Sequence, residues 1–175
     1  MANKQEIIIF TGPDGSGKTT IAKKLSPIIK VPYFKNTVEK EYFKHQADIN
    51  LFVNALNYEG RFLASFLLQT AYSIILDRSY PCEYAYSRVF NRENNDAAIF
   101  MLDDIFNDLG ASIIYCFKDE YSNYDDKLVD LSKIEDIKKY YEEFLSKTVC
   151  KYLKLNTADE DLPAQINEIM GFLYP

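Results

Sequence analysis

The chain has 175 residues, 47% of them hydrophobic and 26% charged, and carries a formal net charge of −6. That length accommodates one sizeable core and is short for two, so a single domain over residues 1–175 is expected. The acidic balance supplies no basic face for gripping a long nucleic-acid backbone, while a small anionic ligand held by a few placed cations remains compatible with it. Cys82, Cys116 and Cys150 are odd in number, widely spaced and free of any C-x-x-C pairing, which argues against a disulfide framework or zinc site and for a reducing compartment. No apolar run approaches the ~18 residues that span a bilayer, and no apolar leader precedes the first strand pattern, so a soluble cytoplasmic protein with no membrane partner is expected. His45 is the sole histidine, without a partner constellation around it, and reads as a solvated helix residue.

In chain order, Ile7-Ile8-Ile9-Phe10 predicts a strand over Glu6 to Thr11 buried on both faces, as a central parallel strand is. Directly behind it stands Gly12-Pro13-Asp14-Gly15-Ser16-Gly17-Lys18-Thr19-Thr20, which fits G-x-x-x-x-G-K-[ST], and Ile21-Ala22-Lys23-Lys24-Leu25 continues as a helix. Strand, glycine-rich turn and helix are the context that this phosphate-cradling loop requires. Gly12, Gly15 and Gly17 permit close approach of the main chain, Ser16 and Thr20 lie in the cradle, Lys18 reaches β- and γ-phosphate oxygens, and the Thr19 hydroxyl suits Mg2+. The helix runs from Gly17 to about Ile28, with Pro27 at its fraying end.

Val31 to Phe34 reads as a short second strand with Lys35 at its carboxyl end, and a helical region with apolar recurrences from Ile49 to Leu67 follows, divided near Gly60. Its apolar face over Leu51 to Leu68 suits either core packing or pairing with a second subunit in a homodimer. Tyr72 to Leu76 predicts the third strand, ending in Asp77-Arg78. Helical patterns cover about Cys82 to Phe90 and Ala97 to Leu109, the latter capped by Gly110. Ala111 to Phe117 reads as the fourth strand, 118–132 as a polar lid-like loop, and Ile134 to Leu145 as a helix with Ser132 and Glu135 spaced like a capping box. Cys150 to Leu155 is the fifth strand and Ile166 to Leu173 lies in the closing helix. Strands alternating with helices predict an α/β three-layer sandwich on a five-stranded parallel sheet.

Ligands of such sheets bind beyond the carboxyl ends of the strands. That rule gathers the P-loop, Lys35, Asp77, Arg78, the 118–132 loop and Asn156-Thr157-Ala158. Asp77 ends an apolar strand, as an acid holding Mg2+ does, and would equally serve as a helix N-cap. Arg78 offers a planar fork for phosphate oxygens, with an ordinary surface arginine as the plain alternative. Arg61 stands among apolar helix positions, and Arg88 and Arg92, four apart, share a face if the helix extends that far, where they would close over phosphates or simply face water.

Together these residues resemble the thymidylate kinase-like branch of the P-loop nucleoside monophosphate kinases. The stretch Phe10 to Thr20, with Asp at its third loop position, and Asp77-Arg78-Ser79-Tyr80 trailed by Ala85-Tyr86-Ser87 are similar to that family's two motifs. The resemblance implies that Asp14 and Arg78 meet the acceptor nucleotide, with Lys18, Arg78 and Asp14 the catalytic set and Lys35 a phosphate-binding cation. It further implies that Arg61 addresses the acceptor base and that Asn156, Thr157 and Ala158 hold the adenine of ATP. Two features depart from the family pattern. Neither the P-loop nor the segment Lys118 to Lys127 contains an arginine, so transition-state charge falls to Lys18, Arg78, Mg2+ and cations such as Arg88, Arg92, Lys118 or Lys127. Where the family stacks an aromatic ring on the base, this chain has Asn57, flanked by Tyr58 and Phe62.

The expected activity is ATP- and Mg2+-dependent transfer of a γ-phosphoryl group to a pyrimidine deoxynucleoside monophosphate of the dTMP kind. The alternatives are a hydroxyl acceptor on a nucleoside, polynucleotide end or modified DNA base, and a nucleotide-binding protein without catalysis.

Overall fold

The computed structural model describes residues 5–35, 60–121 and 131–175. Expectations for His45, for Ile49 to Leu56, for Asn57 and Tyr58, and for Lys127 within the lid-like loop lie outside those residues.

Five parallel strands form one sheet in the order β2-β3-β1-β4-β5, with β1 Ile7–Thr11, β2 Tyr33–Lys35, β3 Ile74–Asp77, β4 Ser112–Phe117 and β5 Lys151–Asn156. The helices are α1 Lys18–Ile29, α2 at residues 60–70, α3 Tyr80–Val89, α4 Asp96–Asp108, α5 Ile134–Leu145 and α6 Leu162–Leu173. The unbroken apolar run of β1 follows from its place at the centre, because alternate side chains serve two cores. Ile7 and Ile9 pack with Tyr84, Phe106, Tyr141 and Phe144 from α3, α4 and α5, while Ile8 and Phe10 pack with Ile21, Leu25 and Ile169 from α1 and α6. Each such fully buried side chain contributes about 1.5–3 kcal/mol, and the sheet sandwiched between two helical layers is the three-layer architecture expected from the alternating pattern.

β5 is an edge strand, and its exposed Lys151, Tyr152 and Lys154 keep that edge from presenting an apolar face. α4 ends as Gly110 implied: Gly110 adopts φ 75°, its N–H reaches Asn107 O at 2.8 Å, and Ala111 N–H reaches Phe106 O at 2.9 Å, satisfying the last carbonyls. One buried acid pins the layers. Asp103, 1% exposed, accepts from the Tyr80 hydroxyl at 2.8 Å, the Thr148 hydroxyl at 2.7 Å and the Val149 main-chain N–H at 2.8 Å.

Several local expectations are corrected. Pro27 lies inside α1, which continues to Ile29 before Lys30 turns left-handed at φ 58°. β3 starts at Ile74, because Ser73 spends its hydroxyl accepting the Glu6 N–H at 2.9 Å and Ala71 has φ 54°. α5 follows a 3-10 turn at Leu131–Lys133, with Lys133 at its N-cap position in place of Ser132. α3 stops at Val89, which leaves Arg92 beyond the helix that also carries Arg88.

The register matters most for function. Phe10 pairs with Asp77, and Lys35 pairs with the same Asp77, so the carboxyl ends of β1, β3 and β2 lie in one row. The P-loop leaves β1 at that row.

Candidate nucleotide-binding site

The loop between β1 and α1 takes its shape from positions where a side chain cannot fit. Gly12 has φ 135°, and a Cβ there would lie 2.0 Å from the Cys116 carbonyl oxygen of β4. Gly17 turns at φ 75° as the N-cap of α1, and no side chain caps that helix, so its first-turn N–H groups and positive end face the loop. Ser16 closes the loop from within, its hydroxyl donating to Pro13 O at 2.8 Å. Thr157, 2% exposed and directly after β5, anchors it, its hydroxyl shared between Ser16 O and Phe117 O at 3.0 Å each. Tyr141 of α5 adds a bond to Gly12 O at 3.3 Å.

Lys18 is 4% exposed and lies across the loop, donating to Pro13 O and, at 3.3 Å, to Ser16 Oγ. Burial pulls its pKa below the ordinary lysine value, and the nearby Lys35 adds to that; Cys82, Cys116 and Asp77 work in the opposite direction. A cation so poorly solvated gains from meeting a phosphate.

Beside it lies an acid whose two oxygens have different surroundings. Asp77 is 0% exposed; its Oδ2 accepts from Thr19 Oγ1 at 2.6 Å and from the Tyr33 hydroxyl at 2.8 Å, while Oδ1 has no hydrogen-bond partner. An orphaned, buried carboxylate oxygen against a threonine hydroxyl, at the mouth of a phosphate loop, fits Mg2+. That ion uses one or two protein oxygens and completes its shell with water and phosphate. Thr19 and Asp77 would hold the ion, and it would neutralise charge on the phosphate oxygens.

The third assembly joins the loop to α3. Asp14 gives Oδ1 to the Arg78 guanidinium and Oδ2 to the Tyr86 hydroxyl at 2.8 Å; the same hydroxyl accepts the Asp14 N–H at 3.1 Å. Arg78 is a non-glycine residue at φ 76°, anchored by its N–H on Phe10 O at 3.0 Å, and its guanidinium lies 5.6 Å from the centre of the Tyr86 ring. A left-handed arginine costs free energy and is typical of functional positions.

The remaining cations are spread out. Lys35 stands in the strand-end row next to Asp77. Arg61 is exposed on α2. Arg88 and Arg92 do not share a face: Arg88 holds Asp96 at 2.7 and 2.8 Å and stacks 3.6 Å over Tyr84, whereas Arg92 pairs with Glu83 at 3.4 Å. Asn156 donates to Asp119 at 2.6 Å and accepts the Ala158 N–H at 3.0 Å, bracing the loop after β5 against the loop after β4. Thr20, on the first turn of α1, is exposed.

Nothing in the spacing of the sequence singles out Tyr33, Tyr141 or Glu83. The only prior signal was for Tyr86, which belongs to the Ala85-Tyr86-Ser87 stretch; Tyr33 sits two residues before Lys35 and was hidden in an edge strand.

Loop and fold together define a P-loop α/β domain with the architecture of the nucleotide kinases. A family model described as an AAA domain matches residues 7–161, and the chain belongs to that family. No curated protein sequence matches it. Among solved structures, the YorR protein of Bacillus subtilis in complex with phosphorylated GDP is similar with a TM-score of 0.66, at 19% identity over 95% of each chain. Thymidylate kinase from Ehrlichia chaffeensis has a TM-score of 0.64 at 18% identity over 97% of this chain and 99% of its own. Deoxyadenosine kinase from M. mycoides with bound dCTP has a TM-score of 0.61 at 23% identity over 97% and 98%. These likenesses establish a fold shared with those proteins. No helix among the described residues is long and apolar enough to cross a membrane.

Proposed function

We propose that the protein transfers the γ-phosphoryl group of ATP, with Mg2+, to the phosphate of a small nucleotide, a pyrimidine deoxynucleoside monophosphate of the dTMP kind. The observation that carries this reading is the Asp14–Arg78–Tyr86 assembly on the P-loop, opposite Thr19–Asp77. One loop thereby presents two flanks: a metal-and-donor flank at Thr19, and a flank at Asp14 where a second substrate meets a carboxylate and a guanidinium.

Phosphoryl transfer needs positioning and charge stabilisation more than covalent participation. Lys18 would shift from Pro13 O to the β- and γ-oxygens, where its poorly solvated charge has most effect. Arg78 would move its fork from Asp14 toward the acceptor phosphate, and Lys35, at the same strand-end row, would add a second cation. Asn156, Thr157 and Ala158 would border the adenine. Asp14, released from Arg78 but still held by Tyr86, would accept from a sugar hydroxyl.

A coupled assay of ADP release with ATP, Mg2+ and a panel of nucleoside monophosphates tests this, with nucleosides and DNA as separate arms. Turnover dependent on a monophosphate is expected. Turnover with nucleosides or DNA alone would move the acceptor to a hydroxyl, and ATP binding without ADP formation from any acceptor would leave a non-catalytic nucleotide binder.

A further inference from the structure

A phosphate loop has to turn main-chain N–H groups toward the anion and carbonyl oxygens away from it. Two consecutive peptides of this loop need help to do so. The Gly12–Pro13 peptide ends in proline and so has an oxygen but no N–H; any orientation that aims it at the anion brings only repulsion. The Pro13–Asp14 peptide has its oxygen claimed from inside the loop, by the Ser16 N–H at 3.3 Å, the Ser16 hydroxyl at 2.8 Å and the Lys18 ammonium. If Lys18 leaves for a phosphate, Ser16 still holds that oxygen.

Gly12 O is held from outside the loop. Its donor is the hydroxyl of Tyr141, 3.3 Å away, a residue of α5 that is 0% exposed. Burial raises that hydroxyl well above the ordinary tyrosine range, so it stays protonated and enters the contact as a donor. The ring is fixed on two sides, 5.3 Å from the ring of Tyr115 on β4 and 6.3 Å, edge-on, from that of Tyr86 on α3. Tyr86 in turn takes the Asp14 N–H. Two neighbouring tyrosines from different helices therefore set two successive peptides, Tyr141 through the Gly12 carbonyl and Tyr86 through the Asp14 N–H.

We propose that Tyr141 is a positioning residue for the donor's phosphates: by tying the Gly12 oxygen to α5 it keeps that oxygen out of the cradle. This rests on the reading that the loop binds a nucleoside triphosphate, and it extends the site to a helix that the phosphate-loop motif does not include. The hydroxyl acts through the main chain and not on the reacting atoms. The two rings divide the loop between them, Tyr86 serving the acceptor flank through Asp14 and Tyr141 the donor cradle through Gly12.

Equilibrium binding of ATP and of inorganic tripolyphosphate, each with Mg2+, is measured on the wild-type protein, Tyr141→Phe and Tyr115→Phe, well below the unfolding temperature of each. The expected result is that Tyr141→Phe weakens both ligands by the same factor, about three- to tenfold for one lost hydrogen bond. Tyr115→Phe, which takes a hydroxyl from the neighbouring ring in the same core, leaves both within twofold whatever it does to Tm. Wild-type affinity in Tyr141→Phe, an equal loss in Tyr115→Phe, or a loss for ATP without one for tripolyphosphate would overturn the proposal. Should Tyr141→Phe fold poorly, para-fluorophenylalanine at that position, which fills the space of the hydroxyl without donating, decides by the same readings. A wild-type protein that binds tripolyphosphate but passes no phosphate from ATP to a monophosphate would defeat the kinase reading and leave the role of Tyr141 standing. One that binds neither triphosphate would overturn both.

Discussion

Tyr86 and Asp14 are joined by two hydrogen bonds, the tyrosine hydroxyl donating to Asp14 Oδ2 at 2.8 Å and accepting the Asp14 N–H at 3.1 Å. A single α3 side chain thus sets both the main chain and the carboxylate of the loop's third position, while Arg78 engages the other oxygen. Tyr86→Phe removes both hydrogen bonds, and the one to the charged carboxylate alone is worth about 1.5 kcal/mol or roughly tenfold in an equilibrium. The expected outcome is a rise in acceptor KM of about five- to tenfold with ATP KM within twofold. Asp14→Ala should separate the two substrates in the same direction and further. Equal loss for both would remove Asp14 from the acceptor flank.

Asp77 accepts from Thr19 and Tyr33 on one oxygen and leaves the other without a partner. If that acid helps to hold Mg2+, Asp77→Asn should raise the half-saturating Mg2+ concentration more than the ATP KM measured at saturating metal. Tyr33→Phe, which frees the carboxylate to reorient, should do so by about tenfold, as partners of metal ligands do. Titrating Mn2+ in the presence of a non-hydrolysable ATP analogue, followed by the paramagnetic signal of the free ion, reads the effect independently of turnover. Unchanged metal affinity in both variants would contradict it.

Glu83 provides a pH test of its burial beside Arg92. Its carboxyl is raised from 4.5 to about 7, burial outweighing the opposing effect of Arg92. The folded state therefore holds the proton more tightly than the unfolded chain. The stabilisation is complete below pH 4.5 and is lost as pH rises through about 7, a span worth roughly 3 kcal/mol. Urea denaturation of the protein without nucleotide should show wild-type stability falling relative to Glu83→Gln between pH 5 and 7.5. Parallel pH curves would show that burial does not govern this carboxyl.

The fold was legible in sequence where its periodicity is dictated by burial. The apolar run of β1 and the glycine at the end of α4 are forced by two-sided packing and by a left-handed turn, and both were found as expected. The positions of Gly12, Gly17, Lys18 and Thr19 in the turn between β1 and α1, and of Asp77 at the end of β3, were also legible, because a strand–turn–helix unit constrains residue types at fixed spacing. What could not be read was tertiary pairing. Nothing in the spacing of Glu83 and Arg92 announces a buried ion pair, and whether Arg92 shares a helix with Arg88 depends on where α3 frays after Val89. Tyr33 is one of 14 tyrosines, and only the register of β2 on β3 shows that its hydroxyl reaches Asp77.

Asp103 gives a prediction that concerns stability alone. Its carboxylate satisfies Tyr80, Thr148 and Val149 without a cation beside it in those bonds. Asp103→Ala would take the acceptor from the buried Tyr80 hydroxyl and from the partly buried bonds of Thr148 and Val149, at a cost of about 3 kcal/mol or a fall in Tm of roughly 6–12 °C for a chain of this size. Nucleotide affinity at a temperature where the variant is folded should be unchanged, as calorimetric unfolding and ATP titration would show. A variant as stable as the wild type would mean that water replaces the carboxylate.

Transfer itself decides the central claim. ATP labelled in the γ-phosphate is incubated with the protein, Mg2+ and each deoxynucleoside monophosphate, and the nucleotides are separated. The predicted result is label in a deoxynucleoside diphosphate, one per ADP formed, abolished in Lys18→Ala and strongly reduced in Arg78→Ala. Label that stays in ATP, or passes only to water as inorganic phosphate in the presence of every monophosphate, would contradict it.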